Sequence, residues 1–287
     1  MTLWNNDIEI KFFKEALKNF ASPEQLFYNL KDGYYAYVPK GEDAEGQTLQ
    51  SRNSLIGQFT EKWCKTLFEP VAERLELFAV NGVICEELGL TKQSSADLAF
   101  CATDNNIQQF ENVKLIFEIK MSIVSNYRLH KPDKIEFIGD YKQHKGNPSL
   151  LRSDSMLKAT GKSINIRVSG QASANIPIII LGNSPITENY VKKVDFLKTS
   201  GVIQGFWSLN PMPAEGDFVK ITPKSGFQTI EMQDTLFELS KQLVESDMNY
   251  FSSMISKRSL GELISTANKE STNIAKAEKF LNLIRDL

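Results

Sequence analysis

Residues 113–121 constrain this chain more than any other stretch. Leu115, Phe117, Ile119 and Met121 fall on alternate positions there, and Glu118 and Lys120 lie between them. Successive side chains of a strand point to opposite faces. A strand here therefore buries the four apolar residues on one side and projects Glu118 and Lys120 together from the other. Upstream, Ser95-Ala96-Asp97-Leu98-Ala99-Phe100 opens a second apolar run. The two runs are predicted as adjacent strands over 97–102 and 113–121, joined by a loop with a turn signal at Asp104-Asn105-Asn106. Antiparallel pairing sets the start of the first against the end of the second and brings Asp97 near Glu118.

Two carboxylates beside an ammonium are the parts that metal-assisted cleavage of a phosphodiester needs. A hard cation such as Mg²⁺ takes oxygen ligands, and a positive group beside the attacking water or the developing charge on phosphorus lowers the barrier. The triplet alone carries little, because Glu9-Ile10-Lys11 has the same form. That copy opens an amphipathic helical pattern with no Asp on a neighbouring strand, so Glu9→Ala is expected to leave activity intact. The alternative for Glu118 and Lys120 is a solvent-facing ion pair.

The rest of the chain supplies an α/β frame. Residues 5–31 read as helical, with Phe12, Phe13, Leu17 and Phe20 at core spacing and Ser22-Pro23-Glu24 as a second start. Asp32-Gly33 turns into an aromatic segment, followed by a polar loop over 41–50. A helix is predicted from Ser54 to Glu69, stopping before Pro70. Another is predicted over 70–80, then a turn at Asn81-Gly82. The 54–69 helix is apolar nearly all round. Glu61 lies among its apolar residues, where a carboxylate is costly without a cation or metal; a pair with Lys65 one turn on is the alternative. Residues 122–149 hold few apolar anchors and are too long for a simple connection, so they read as a loop that is functional or partly disordered. A helix over 148–163, a doubly buried strand over 176–182, a helix over 187–199 and a strand over 202–209 follow. A Pro/Gly-rich loop occupies 210–226, and 231–287 reads as helices interrupted near Gly261. An antiparallel hairpin followed by strand, helix and strand implies a layered α/β core.

With Asp97, Glu118 and Lys120 in place, this order over residues 54–207 resembles the PD-(D/E)xK nuclease superfamily, and within it the type II restriction endonucleases. Ala96 stands where the motif's name has proline, a loop position and not a ligand. The resemblance implies a restriction-endonuclease-like core, a mixed β-sheet flanked by helices, with helical N- and C-terminal additions. The corresponding divisions are 1–53, 54–209 and 210–287, within one compact unit. It further implies that Asp97 and Glu118 bind Mg²⁺ directly, joined by the carbonyl of Ile119. Lys120 would orient or help deprotonate the attacking water, or stabilise transition-state charge, and Glu61 would aim at the active site from the preceding helix.

A net charge of -2 argues against a nucleic-acid partner only if charge is spread evenly. From Lys120 to Arg167 there are ten Lys and Arg against four Asp and Glu, enough for one basic face toward double-stranded DNA. Lys142, Lys145, Lys158 and Lys162 are the candidates for phosphate contacts. Asn126, Arg128, His130, His144, Asn147, Arg152 and Ser153, or the loop 210–228, are those for base edges. Three scattered cysteines and two histidines supply no zinc spacing and read as buried thiols and isolated rings. No run approaches the length of a membrane span and no signal layout precedes the first helix, from which a cytoplasmic protein is expected. The expected function is a Mg²⁺-dependent endonuclease cutting double-stranded DNA at a short specific sequence. Because the chain has one motif copy and a symmetric site needs two, a homodimer is expected. The rivals are a repair or transposon-end nuclease on the same fold, and a non-catalytic DNA-binding or assembly module.

Overall fold

In a computed structural model that describes residues 3–43, 49–130, 134–246, 249 and 256–286, part of the expected 41–50 loop lies outside the described residues. The chain opens with α1 (Asn6–Asn19), whose first turn is capped by the Asn5 side chain accepting from Ile8 N. A capping box between Ser22 and Gln25 starts the short α2 (Pro23–Leu26). The helix expected to run to 31 ends there. Residues Tyr28 to Tyr35 instead form a hairpin of β1 (Tyr28–Leu30) and β2 (Gly33–Tyr35), pairing Tyr28 with Tyr35. Aromatic cross-strand pairs suit a pleated surface and explain why strand wins over helix here.

α3 (Gln50–Glu73) starts earlier than Ser54 and runs through Pro70. Proline removes one helix bond, but Leu67, Phe68, Val71 and Ala72 on both sides of it are buried, so packing holds the helix together. The helix predicted over 70–80 gives way to β3 (Phe78–Val83). Asn81-Gly82 lies inside that strand. Gly82 has φ 64 and falls between the pairs Asn81–Leu98 and Val83–Ala96; glycine enters that left-handed region without a Cβ clash.

β4 (Ala96–Cys101) and β5 (Val113–Ile119) pair antiparallel as expected, Leu98 opposite Phe117. The stretch read as a long loop is mostly a second hairpin, β6 (Asn126–His130) and β7 (Lys134–Gly139). β2 pairs with β6, which completes a four-stranded antiparallel sheet in the order β1-β2-β6-β7. The alternation of buried Tyr127 and Leu129 with more exposed neighbours is the period-2 pattern of a half-buried sheet. Then come α4 (Ser153–Val168), β8 (Ile178–Gly182), α5 (Glu188–Thr199), β9 (Gly205–Ser208) and β10 (Phe227–Thr229). α6 (Gln233–Val244), α7 (Lys257–Ala267) and α8 (Asn273–Arg285) close the chain. Gly261 sits within α7; the breaks fall after Val244 and after Ala267.

The main sheet has six strands in the order β10-β9-β8-β5-β4-β3, parallel from β10 to β5 and antiparallel from β5 to β3. Its two faces carry separate cores. Phe12, Trp63, Phe68 and Leu236 of α1, α3 and α6 cover Phe100, Phe117 and Ile179 on one face. Met156, Ala159, Ile166 and Val194 of α4 and α5 cover Ala99, Ile116 and Ile180 on the other. A strand buried on both sides must be apolar throughout, which is why β8 reads as an unbroken branched run. The chain is thus α/β, a mixed sheet with helices on both faces beside an antiparallel sheet. Among the described residues no helix is long and apolar enough to cross a membrane. Cys64, Cys85 and Cys101 are free and buried.

Glu9 turns out to be a structural residue. Its carboxylate is buried and accepts bonds from Trp4 Nε1 at 2.8 Å, Val124 N at 2.8 Å and Ser125 N at 3.1 Å. It thereby ties α1 to the chain just beyond β5. Glu9→Ala would strand three donors, at a cost of a few kcal/mol (about 1–3 for each buried group left unpaired), so the variant is not neutral. Burial drives the carboxyl up from 4.5 to about 7, against the donors that favour the anion. A raised carboxyl binds its proton more tightly folded than unfolded. The contribution of Glu9 to stability is therefore expected to be fully present below pH 4.5 and to be lost as pH rises through about 7. Thermal melting of wild type and Glu9→Gln across that window checks this; the Gln variant should lose that component of the slope.

Candidate active site

The register of β4 on β5 decides what meets at their shared end. The ladder runs to Leu98–Phe117, and the next bond is made by a side chain: Asp97 Oδ2 accepts from Ile119 N at 2.7 Å. Gly82 on the other side leaves Asp97 flanked by irregular backbone, so its carboxylate turns toward the end of β5. Glu118 shares the face of Ile116, since alternate residues share a face, and is buried at 4% exposure. Lys120 follows, with Nζ 2.5 Å from Glu118 Oε1, 3.6 Å from Asp97 Oδ2 and 3.2 Å from the carbonyl of Ile119.

Backbone bonds fix the chain on which Lys120 rides. Lys120 N donates to Leu181 O at 2.7 Å, and Ser149 Oγ donates to Lys120 O at 2.7 Å. Asn183 brackets Ser122, two residues on, accepting from Ser122 N at 3.1 Å and donating to Ser122 O at 2.6 Å. Ser149 holds φ 51 to reach this position, an uncommon conformation for a residue with a Cβ. Ser149 and Asn183 escape sequence reading because their work is done through backbone atoms of distant residues.

The structure adds a second ammonium. Lys162 of α4 lies 2.5 Å from Glu118 Oε2 and 3.3 Å from Asp97 Oδ1, and donates to Ser95 O at 2.7 Å. It was expected among outward phosphate contacts. Its signal in the sequence is its place three residues after Ala159 and four before Ile166, on the buried stripe of its helix, where a lysine needs an anionic partner.

Electrostatics follow from this packing. Burial, then Asp97, push the Glu118 carboxyl above the ordinary carboxylate range, against the pull of Lys120 and Lys162. Burial works against the Lys120 ammonium, but Glu118 and Asp97 outweigh it and hold its pKa above the usual lysine value. The depressed value that a proton-accepting lysine needs is not found in this arrangement; Lys120 is a donor here. Glu61 on α3 is raised by burial, then by Asp97, with Lys120, Glu118 and Lys162 also acting on it. It therefore shares the field of the cluster. Lys65, its alternative partner, is 3.9 Å from Glu69 instead.

The donor set fits a divalent cation in part. Among the described residues no three His, Cys, Asp or Glu side chains gather closely enough to hold a metal. Asp97, Glu118 and the Ile119 carbonyl still offer hard oxygens in one place. Glu118 Oε2 is buried without a well-directed hydrogen bond and lies 2.5 Å from Lys162 Nζ.

Beside Lys120 opens a cleft of about 440 Å³ lined by Arg52, Asn53, Asn147, Arg152 and residues of the Lys120 turn, with no Asp or Glu among its walls. Arg52, missed in the sequence, is buried and lies over the Tyr37 ring at 4.7 Å, donating to Ala36 O. The remaining expected DNA contacts scatter. Asn126 is buried and accepts from Tyr37 N at 2.8 Å. His144 is buried, stacked on Tyr37 at 4.0 Å, and bonded through Nε2 to Val124 O at 2.9 Å. Arg128 pairs with Asp32 at 3.5 Å, His130 with Glu136 at 2.6 Å and Lys145 with Asp43 at 2.5 Å. Lys142 clamps the carbonyls of Glu215 and Asp217 at 2.9 and 3.0 Å. Lys158 is exposed beside Asp154 at 3.0 Å, and Ser153 is exposed at the start of α4. Of these candidates only Asn147 and Arg152 line the cleft.

No protein-family model, no curated protein and no solved structure matches this chain.

Proposed function

We propose that this chain is a divalent-cation-dependent nuclease that hydrolyses phosphodiester bonds of double-stranded DNA, cutting at a specific short sequence as a homodimer. The observation that carries the reading is the convergence of Asp97, Glu118 and the Lys120 ammonium at one end of the β4–β5 pair, beside a cleft whose charged walls are all cationic. Asp97, Glu118 and the carbonyl of Ile119 would hold Mg²⁺, which when bound supplies Lewis acidity and a more acidic water. Lys120, as an ammonium, orients the attacking water or meets the charge developing on the phosphoryl oxygens. Arg52 and Arg152 would receive backbone phosphates in the cleft. One such site per chain severs one strand, so a double-strand cut calls for two chains about a twofold axis.

A specific observation favours a second reading. Asp97, Glu118, Lys120 and Lys162 cancel one another's formal charge, as a purely structural ion network does. A DNA-binding module without catalysis would look like this too. Supercoiled plasmid incubated with protein and Mg²⁺, with and without EDTA, separates the cases. Discrete EDTA-sensitive products support the specific endonuclease, a smear a nonspecific nuclease, and intact plasmid with a mobility shift the module.

Binding through cationic walls makes a quantitative expectation. Log affinity for duplex should fall against log salt with a slope of about -0.9 per phosphate contacted, and Arg152→Ala should make that slope about one unit shallower. Fluorescence anisotropy at several salt concentrations measures it; a flat response would remove the electrostatic footprint.

A further inference from the structure

Lys162 places its Nζ among three oxygens, Glu118 Oε2 at 2.5 Å, Asp97 Oδ1 at 3.3 Å and Ser95 O at 2.7 Å. Two of the three belong to the carboxylates assigned to the divalent cation. The two lysines differ in outlook: Lys120 lines the substrate cleft, whereas Lys162 does not. Lys162 reaches the carboxylates from the α4 side, where Ala159 and Ile166 anchor the helix in the core. A lysine ammonium is a compact charge on a flexible four-carbon stem, able to withdraw while its helix stays in place. An ammonium and a divalent cation drawn to the same carboxylates repel one another, and Lys162 takes Glu118 Oε2 and Asp97 Oδ1 while Lys120 takes Glu118 Oε1 and Asp97 Oδ2.

We propose that Lys162 is a built-in competitor for the divalent cation: its ammonium neutralises Glu118 and Asp97 until the cation arrives, and must leave them for the cation to bind. The inference rests on the reading of Asp97 and Glu118 as metal ligands. It gives the second lysine a purpose that the cleavage step does not require. Glu118 and Asp97 gather two negative charges in one place, and Lys162 lies against both. The same contact sets the cation concentration at which the site fills.

Calorimetric titration with Ca²⁺, without DNA, tests this on the full chain. Ca²⁺ accepts the same oxygen ligands as Mg²⁺. Lys162→Met is expected to bind Ca²⁺ about tenfold or more tightly than wild type, since a positive charge has left the site, and Asp97→Asn is expected to lose binding. If Asp97→Asn loses binding but Lys162→Met is no tighter, the competitor role is overturned and the metal site stands. If wild type shows no Asp97-dependent binding, the metal-site reading itself falls, and this inference with it. A second measurement avoids any variant that fails to fold. Amine acylation of wild type, read at Lys162 by mass spectrometry, should rise several-fold when Ca²⁺ frees the ammonium; unchanged or reduced labelling overturns the proposal.

Discussion

Asp97→Asn and Glu118→Gln are each expected to lower DNA cleavage by about 10³-fold or more, the scale of losing several kcal/mol of transition-state charge stabilisation. Both changes keep the volume and remove the negative charge. Asn at 97 retains an oxygen for Ile119 N, so the strand end that Asp97 holds at 2.7 Å should survive. Single-turnover cleavage of a plasmid, beside thermal melting of each variant, makes the measurement. Folded variants that cut at the wild-type rate would remove both residues from the chemistry.

Lys120→Ala is expected to slow cleavage by roughly 10²-fold, the scale of a lost electrostatic group, while duplex affinity measured with Ca²⁺ changes little. The two should separate because the ammonium is turned toward Glu118 and Asp97 at 2.5 and 3.6 Å and its pKa is raised. A variant that cuts normally but binds duplex far more weakly would make Lys120 a phosphate anchor and end its proposed role.

The site's centre was legible because it is local. The period of two in 113–121 fixed which face Glu118 and Lys120 share, and a hairpin turn sufficed to set Asp97 against them. The unbroken run of β8 and the helices α4 and α5 were legible for the same reason, each carrying its burial pattern within itself. β1, β2, β6 and β7 were not, because neither hairpin buries enough alone to declare itself and the two complete one another from far apart in sequence. Only the first residues of β3 (Phe78–Val83) were read as the end of a helix over 70–80, and Asn81-Gly82, which lies inside the strand, was read as the turn after it. Lys162 and Arg52 were hidden differently: each is a charge on a helix whose partner lies on another element, Asp97 and Glu118 for one and the Ala36 carbonyl for the other.

The pairing of Tyr34 with Leu129 and Tyr35 with Arg128 joins positions more than ninety residues apart. Contacts so distant form late, because a long loop must close before they return any free energy. The cleft depends on that closure: Tyr28 and Tyr37 come from one end of it, Lys120, Asn147 and Arg152 from the other. During synthesis the β1–β2 hairpin emerges early, and the open edge of β2 waits for β6. On the nuclease reading, an emerging or truncated chain lacks a groove for a duplex even once β4 and β5 have paired, so the power to cut arrives as one of the last events of folding.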